Sequence, residues 1–550
     1  MVEDSFSVSN NTSLWAISLL LVSTLGLIRT YLRRSSGKAS LPPSPPKHWF
    51  WGNKDILNQP YKYVSLGVEY KQKLGDIISL STPLDTTIIV NTMELATELL
   101  EKHAAITANR PRNIMVQDIL GWSRGIGIRQ HDEGHKKLRR VIASALHATA
   151  ARTYASQHVD STLDLLRRIS NAPAAFRQHT NDVVGEFIIR LAYGQKAVES
   201  DHLVETIHQA FSYFILGTST YFAVNDFPIC EPFKRLEDTV VINTGPLVRY
   251  LPAWVPGAGF QIFGKEGREL RERYATEPFE MVFEQVRKGQ VEFPSYTSQL
   301  LEAKGGANIS DDDIQLVKWS AGSMFTAYTI AQGDLRRSKT VGLILSFVLM
   351  AAIHPEVAKN ARAEIDEVVG RGRIPELHDR SDLPYVEAFF QEVLRMYPVA
   401  PIGLPHVATE DIEFQGYRIP KGSTINANIW AMLRDPKHFS DPNVFDPTRF
   451  LKPMPDPDPR KYIFGFGRRI CPGLHVANNS AWVMCAGILA VYDIYPSSEL
   501  QRKVDSLGGR RSEQLYKLSQ PYLVSDPLPF LCDFIPRDQA AIALLDNSAI

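Results

Sequence analysis

The sequence predicts a mainly α protein with a small β region, an α+β chain built as a single large domain behind an N-terminal transmembrane helix. Three observations predict it. From about Leu95 onward most segments space their apolar residues as helices do. One stretch, Asp76–Val90, instead alternates and is rich in β-branched residues. No repeat or interior low-complexity linker divides the chain, although 550 residues would ordinarily suggest roughly three or four domains.

The elements follow in order. Leu14–Leu32 is apolar except for Arg29 and, as a helix, would cover about 28 Å, enough to cross a bilayer core if Arg29 snorkels. Glu3 and Asp4 precede it, whereas Arg29 follows its uncharged run to Ile28, and Arg33, Arg34, Lys38 and Lys47 come after with no acid among them. That asymmetry predicts an uncleaved anchor with the bulk of the chain on the cytoplasmic side. Residues 1–13 are then lumenal, with sequons at Asn10 and Asn11, and 14–32 span the membrane. Residues 33–48 form a basic linker stiffened by Leu41-Pro-Pro-Ser-Pro-Pro, and 49–550 are the main domain. Asp76–Val90 predicts a hairpin around Pro83-Leu84-Asp85. Ser310-Asp-Asp-Asp marks a helix start, and Pro355 opens another helix. A helix fits Leu383–Tyr397, stopped by Pro398. Ile412–Tyr417 and Ser423–Asn428 read as strands, and Leu474–Ile494 as an apolar helical run.

Composition narrows the function classes. Apolar residues make up 44% and charged residues 22%, values of a globular protein. Sixty Lys and Arg against sixty Asp and Glu leave no global basic field, so no nucleic-acid partner is expected. Four cysteines, Cys230, Cys471, Cys485 and Cys532, form no CxxC pair, which argues for free thiols in a reducing setting. His131-Asp-Glu-Gly-His135 spaces two histidines four apart. Its acid stands third rather than second, and no third ligand is evident, so it does not read as a zinc site.

The string that carries chemistry is Phe464-Gly-Phe-Gly-Arg-Arg-Ile-Cys-Pro-Gly473, ahead of the apolar run. Glycines allow a tight turn and close backbone approach, arginines offer donor forks to carboxylates, and a helix start beside arginines favours a thiolate. The pattern Phe464-x-x-Gly467-x-Arg469-x-Cys471-x-Gly473 resembles the haem-binding loop of the cytochrome P450 family. Glu392-Val-Leu-Arg395 is similar to that family's ExxR element, and Phe445-Asp-Pro-Thr-Arg449-Phe to its later FxPxRF element, with Thr448 where an acid is usual. The resemblance spans nearly the whole chain and points to fungal, microsomal members from secondary metabolism.

The resemblance implies haem b held through Cys471 as the axial iron ligand, with Phe464, Gly467 and Gly473 forming the loop. It implies Arg469, Arg139 and His406 as propionate partners, and Glu392, Arg395 and Arg449 as a buried structural triad. It further implies an endoplasmic-reticulum membrane protein that takes electrons from an NADPH-dependent reductase. The reaction would insert one atom of O2 into an apolar organic substrate. Lys136, Lys137, Arg139, Arg140, Lys461 and Arg468 would form the basic face that the reductase meets. The aromatic-rich stretch Phe211–Phe227 would fall where substrate enters.

One departure bears on activity. The family's oxygen-activating helix carries an acid followed by an alcohol. Here Tyr328–Lys339 places twelve residues where about four are expected. Aligned from the left, Ile330 and Ala331 stand at the acid and alcohol positions; aligned from the right, Ser338 and Lys339 do. Asp334 and Thr340 are the substitutes at hand. The first hypothesis for the extra length is an exon-boundary error in the gene model. The alternative is a haem-thiolate isomerase or dehydratase needing no O2, or an impaired haem-binding protein. At His135, where the family has tryptophan, haem anchoring is also altered.

Overall fold

The computed structural model describes residues 39–83, 85–194, 201–218, 260–291, 293–329, 339–521 and 523–546. The expected anchor, the sequons, Cys230, Asp334 and the remainder of the extra segment (330–338) lie outside the described residues. So do Tyr221, Phe222 and Phe227.

Helices of eight residues or more are numbered here. They are α1 (Glu133–Leu146), α2 (Ala155–Asn171), α3 (Phe176–Tyr193), α4 (Asp201–Thr218), α5 (Phe260–Lys288), α6 (Tyr296–Ala303) and α7 (Asp311–Thr329). After them come α8 (Lys339–Ile353), α9 (Pro355–Val368), α10 (Pro384–Met396), α11 (Leu474–Val491), α12 (Ser498–Ser506) and α13 (Gln539–Asp546).

The predicted starts have visible causes. The Asp313 N–H donates to Ser310 Oγ at 3.3 Å ahead of α7. Pro355 takes the first position of α9, where its missing N–H costs nothing. Every residue from Val341 to Ile353 of α8 is buried, and α8 packs on α11, which in turn packs on α2. Together with α3 and α10 these helices enclose the main core. By length and composition α11 could cross a membrane, but most of it is buried inside the protein, as a core helix is.

The β region is small. β1 (Ile77–Ser81) and β2 (Thr86–Val90) form the expected antiparallel hairpin, with Ile77 opposite Val90. β6 (Thr424–Ala427) pairs parallel to β2, and β3 (His406–Val407) completes the order β1-β2-β6-β3. The stretch expected as one strand over Ile412–Tyr417 is instead a two-stranded hairpin, β4 (Ile412–Phe414) and β5 (Tyr417–Ile419). Gln415 and Gly416 both take positive φ, 53° and 76°, and close it as a two-residue turn. The run expected as helix to Ile494 leaves α11 at Val491. Tyr492–Pro496 becomes β7 against β8 (Cys532–Pro536) because its backbone pairs there.

The proline-rich linker also differs from a free spacer over its described part. Ser79 donates to the Pro42 and Pro43 carbonyls through Oγ and N, at 2.6 and 2.8 Å. Arg418 N donates to Ser40 O at 2.9 Å. Proline lacks an N–H but keeps its carbonyl, so this segment lies along the sheet as an acceptor strip.

Candidate haem-thiolate site

The loop 464–473 turns because two of its glycines take positive φ, Gly465 at 83° and Gly467 at 50°. A Cβ on Gly467 would lie 2.5 Å from Leu100 O and 3.0 Å from Ala104 Cβ, so only glycine seats the loop against that neighbouring segment. The Cys471 N–H donates to Phe464 O at 2.8 Å, which closes the loop over the sulfur. Gly473 then caps α11.

Cys471 is half-buried at the end of this loop. The other two described cysteines, Cys485 and Cys532, are buried core residues. Burial pushes the Cys471 thiol up, while Lys339, the Gly473 N–H and Arg139 act to lower it.

Near this loop stands a group of basic side chains. Arg469 is buried and donates through Nε to Ala108 O and through Nη2 to Arg129 O, both at 2.6 Å. Arg110 is equally enclosed, donating through Nη1 to Pro405 O at 2.6 Å and Leu404 O at 3.2 Å. Burial presses their guanidinium pKa values down, to about 10 for Arg469 and about 9 for Arg110. Arg139, half-buried on α1, acts on both Cys471 and Arg469. His406, on β3, meets Thr107 O through Nδ1 at 2.9 Å, and burial pushes it down to about 3. Lys339 opens α8 and acts on Cys471 from there. Among the described residues, the one carboxylate acting on the arginines and Lys339 is Asp132, opposite Arg469.

Desolvated guanidiniums without counter-ions are costly, so the group fits a ligand that brings its own carboxylates. A haem, with two propionates and an iron for the thiolate, has that chemistry. Arg110 escaped the sequence reading. Its partners lie near positions 127 and 404, and only the fold brings them together.

The triad residues meet as a separate group. Arg395 donates through Nε and Nη2 to the two Glu392 oxygens at 2.7 and 2.8 Å, and Arg449 Nε donates to Glu392 Oε1 at 3.1 Å. The second guanidinium nitrogen of Arg395 reaches Leu433 O and Pro442 O, so the long connection before the loop is tied to α10. Glu392 and Arg395 are completely buried.

His131 and His135 lie 3.2 Å apart through Nδ1, but His135 belongs to α1 and His131 precedes its cap, Asp132. No group of three metal-type ligands occurs among the described residues. Phe211 and Phe214 pack on Trp122, with centroids at 4.9 and 5.1 Å, as core residues.

The family model described as Cytochrome P450 matches residues 42–239 and 338–520, more than half of the chain. The chain belongs to the cytochrome P450 family. The match resumes at Ser338, immediately before α8. Among similar P450s, Cytochrome P450 monooxygenase 98 of Postia placenta is 33% identical over 538 residues, covering 96% of both chains. Cytochrome P450 monooxygenase claR of Ampulloclitocybe clavipes is 32% identical over 95% of this chain and 90% of its own. Tryptamine 4-monooxygenase of Psilocybe cyanescens is 29% identical over 95% of this chain and 98% of its own. A zebrafish cytochrome P450 solved with progesterone shares the fold, with TM-score 0.62 and 21% identity, covering 87% of this chain and all of that one. With fungal P450 monooxygenases as its relatives along nearly its whole length, the chain is an oxidoreductase of the P450 monooxygenase class.

Proposed function

We propose that this P450 inserts one atom of O2 into an apolar organic substrate of fungal secondary metabolism. Two electrons from NADPH, delivered by a reductase, carry the second oxygen atom to water. The observation that supports this most is Cys471 in its glycine loop beside the buried guanidiniums of Arg469 and Arg110, on which Asp132 is the one carboxylate acting among the described residues. Bound haem supplies the activation of O2. Cys471 would hold it through its thiolate, which the Gly473 N–H beside the sulfur would tune. Arg110, Arg469, Arg139 and His406 orient it by meeting its carboxylates. Glu392, Arg395 and Arg449 keep the loop's supporting core in place.

The basic residues of α1, with Lys461 and Arg468 beside the loop, suit an acidic reductase surface. Arg468 reaches back to His131 at 3.2 Å, which joins the two stretches into one face. The anchor at 14–32 would hold the chain in the endoplasmic-reticulum membrane with this face in the cytoplasm.

A second reading rests on Lys339. A cation beside Cys471, where the right-hand alignment expects an alcohol, does not deliver protons as an acid–alcohol pair does. That favours an isomerase or dehydratase needing no O2, or haem binding without turnover. NADPH consumption with purified reductase and a panel of aromatic and terpenoid substrates separates the readings. Substrate-dependent consumption matched by hydroxylated product supports monooxygenation. Substrate conversion without NADPH, or no conversion at all, contradicts it.

A further inference from the structure

α1 packs against α7, and a cleft of about 800 Å3 opens between them. That volume falls within the roughly 300–1,000 Å3 range of small-molecule sites. Neither Cys471 nor the basic residues that meet beside it, Arg469, Arg110, Arg139 and His406, line this cleft. Leu138 and Val141 stand one helical turn apart on α1, and Leu316 and Trp319 do the same on α7, so both walls present apolar side chains. Val141 and Leu316 are only half-buried and leave apolar surface in the cleft.

The rest of the lining is mostly charged, five cations against Asp312 and Asp313. Lys304 Nζ is taken by Asp313 at 2.6 Å, and Arg124 Nη1 by Glu272 at 3.1 Å. Glu272 also meets Arg271 at 2.7 Å and Lys318 at 4.0 Å, so one carboxylate is shared by three cations. Those three surround the Trp319 ring, at 4.8 Å for Arg271, 5.6 Å for Lys318 and 5.4 Å for Arg124. Arg129 gives Nε to Asp132 at 2.7 Å and lies against Gly134, where a Cβ would stand 2.0 Å from Nη2. Only glycine leaves the guanidinium that seat. The two Nη groups of Arg129, and the head groups of Lys137 and Arg140, make no hydrogen bond or ion pair among the described residues. Asp312 is the one acid of the lining without a cation of its own, and these three outnumber it.

An inorganic anion would meet the cations and leave the apolar walls wet. A neutral lipid would cover the walls and leave the cations unpaired. An acid group on an apolar body answers both. We propose that the cleft between α1 and α7 binds an amphipathic organic anion of the fatty-acid kind. Arg129, Lys137 and Arg140 meet the acid group, and Leu138, Val141, Leu316 and Trp319 cover the chain. The site lies apart from the haem site and goes beyond the P450 reading.

The test illuminates the purified haem-bound full chain with palmitate carrying a diazirine in its chain, and mass spectrometry maps the labelled peptides. Reductase is left out, since Lys137 and Arg140 also belong to the face proposed to meet it. The proposal expects adducts within 138–141 and 315–319, removed by excess palmitate but not by excess hexadecanol, which has the chain without the charge. Lys137→Gln combined with Arg140→Gln should lower this labelling about ten-fold. Lys136→Gln, on the same helix but outside the cleft, should leave it unchanged, with far-ultraviolet circular dichroism confirming that each variant is folded. Adducts confined to other peptides, equal competition by hexadecanol, or a folded double variant that labels like the native chain would each overturn the proposal. None of these outcomes touches the P450 reading, which is tested by haem ligation and turnover.

Discussion

Arg110 shows how one side chain acquires a function from its surroundings. Its guanidinium is buried, hydrogen-bonded to three backbone carbonyls of distant segments, and set near Arg469 with no carboxylate among the described residues acting on it. In a protein without a bound anion that arrangement is costly; with haem carboxylates present the same charge becomes a clamp. Arg110→Met should therefore bind haem more weakly while keeping its helices. A charge-assisted hydrogen bond of about 1.5–3 kcal/mol corresponds to haem loss about ten- to a hundred-fold faster. Transfer of haem to excess apomyoglobin measures this, with far-ultraviolet circular dichroism as the control; an unchanged transfer rate would remove Arg110 from the clamp. Cys471, Arg469 and Glu392 were legible from sequence because each lies in a short patterned string. Arg110 was not, because its pattern exists only in three dimensions.

Elements carry the stability of the helical core, and here the buried histidines matter. His158 of α2 is fully buried, its ring lies tilted on Phe187 of α3 at 4.9 Å, and neither ring nitrogen has a hydrogen-bond partner among the described residues. Burial lowers its pKa from 6.5 to about 4. A histidine held neutral in the fold stabilises it fully above pH 6.5, and that contribution is lost as pH falls from 6.5 to 4, by about 1.4 kcal/mol per pH unit. His354, pushed to about 4 chiefly by burial, adds to the same window. His158→Phe should flatten the acid limb of stability measured by denaturant titration between pH 6.5 and 4; an unchanged limb would place the proton elsewhere. At this scale the sequence showed where elements begin, through Ser310, Pro355 and Pro384, better than where they turn. The β4–β5 hairpin was hidden because Gln415 gives no turn signal until its backbone is seen at positive φ. The proline strip read as a spacer because its partners, Ser79 and Arg418, are remote in sequence.

For the whole molecule, length misled and pattern did not. The absence of any boundary outweighed the average domain size, and the described residues share one principal core spanning α1 to α13. The family match breaks off after residue 239 and resumes at Ser338, so the junction of α7 and α8, where the sequence departs from the P450 pattern, falls at the end of the unmatched stretch. Sequencing the transcript across codons 325–342 should reveal a shorter reading frame, with an acid and an alcohol ahead of α8. A transcript holding all twelve codons of 328–339 makes Lys339 a true resident of the site and favours the O2-independent reading. Either outcome leaves the central claim, haem held by the Cys471 thiolate, to be decided directly. The measurement is the reduced, carbon monoxide-bound difference spectrum of the purified full chain beside Cys471→Ser. Thiolate ligation predicts the long-wavelength Soret band from which the family takes its name, present in the native chain and absent in the variant. A native chain that binds haem but shows only the shorter-wavelength band of a non-thiolate ligand, or a Cys471→Ser variant that keeps the long-wavelength band, would contradict it.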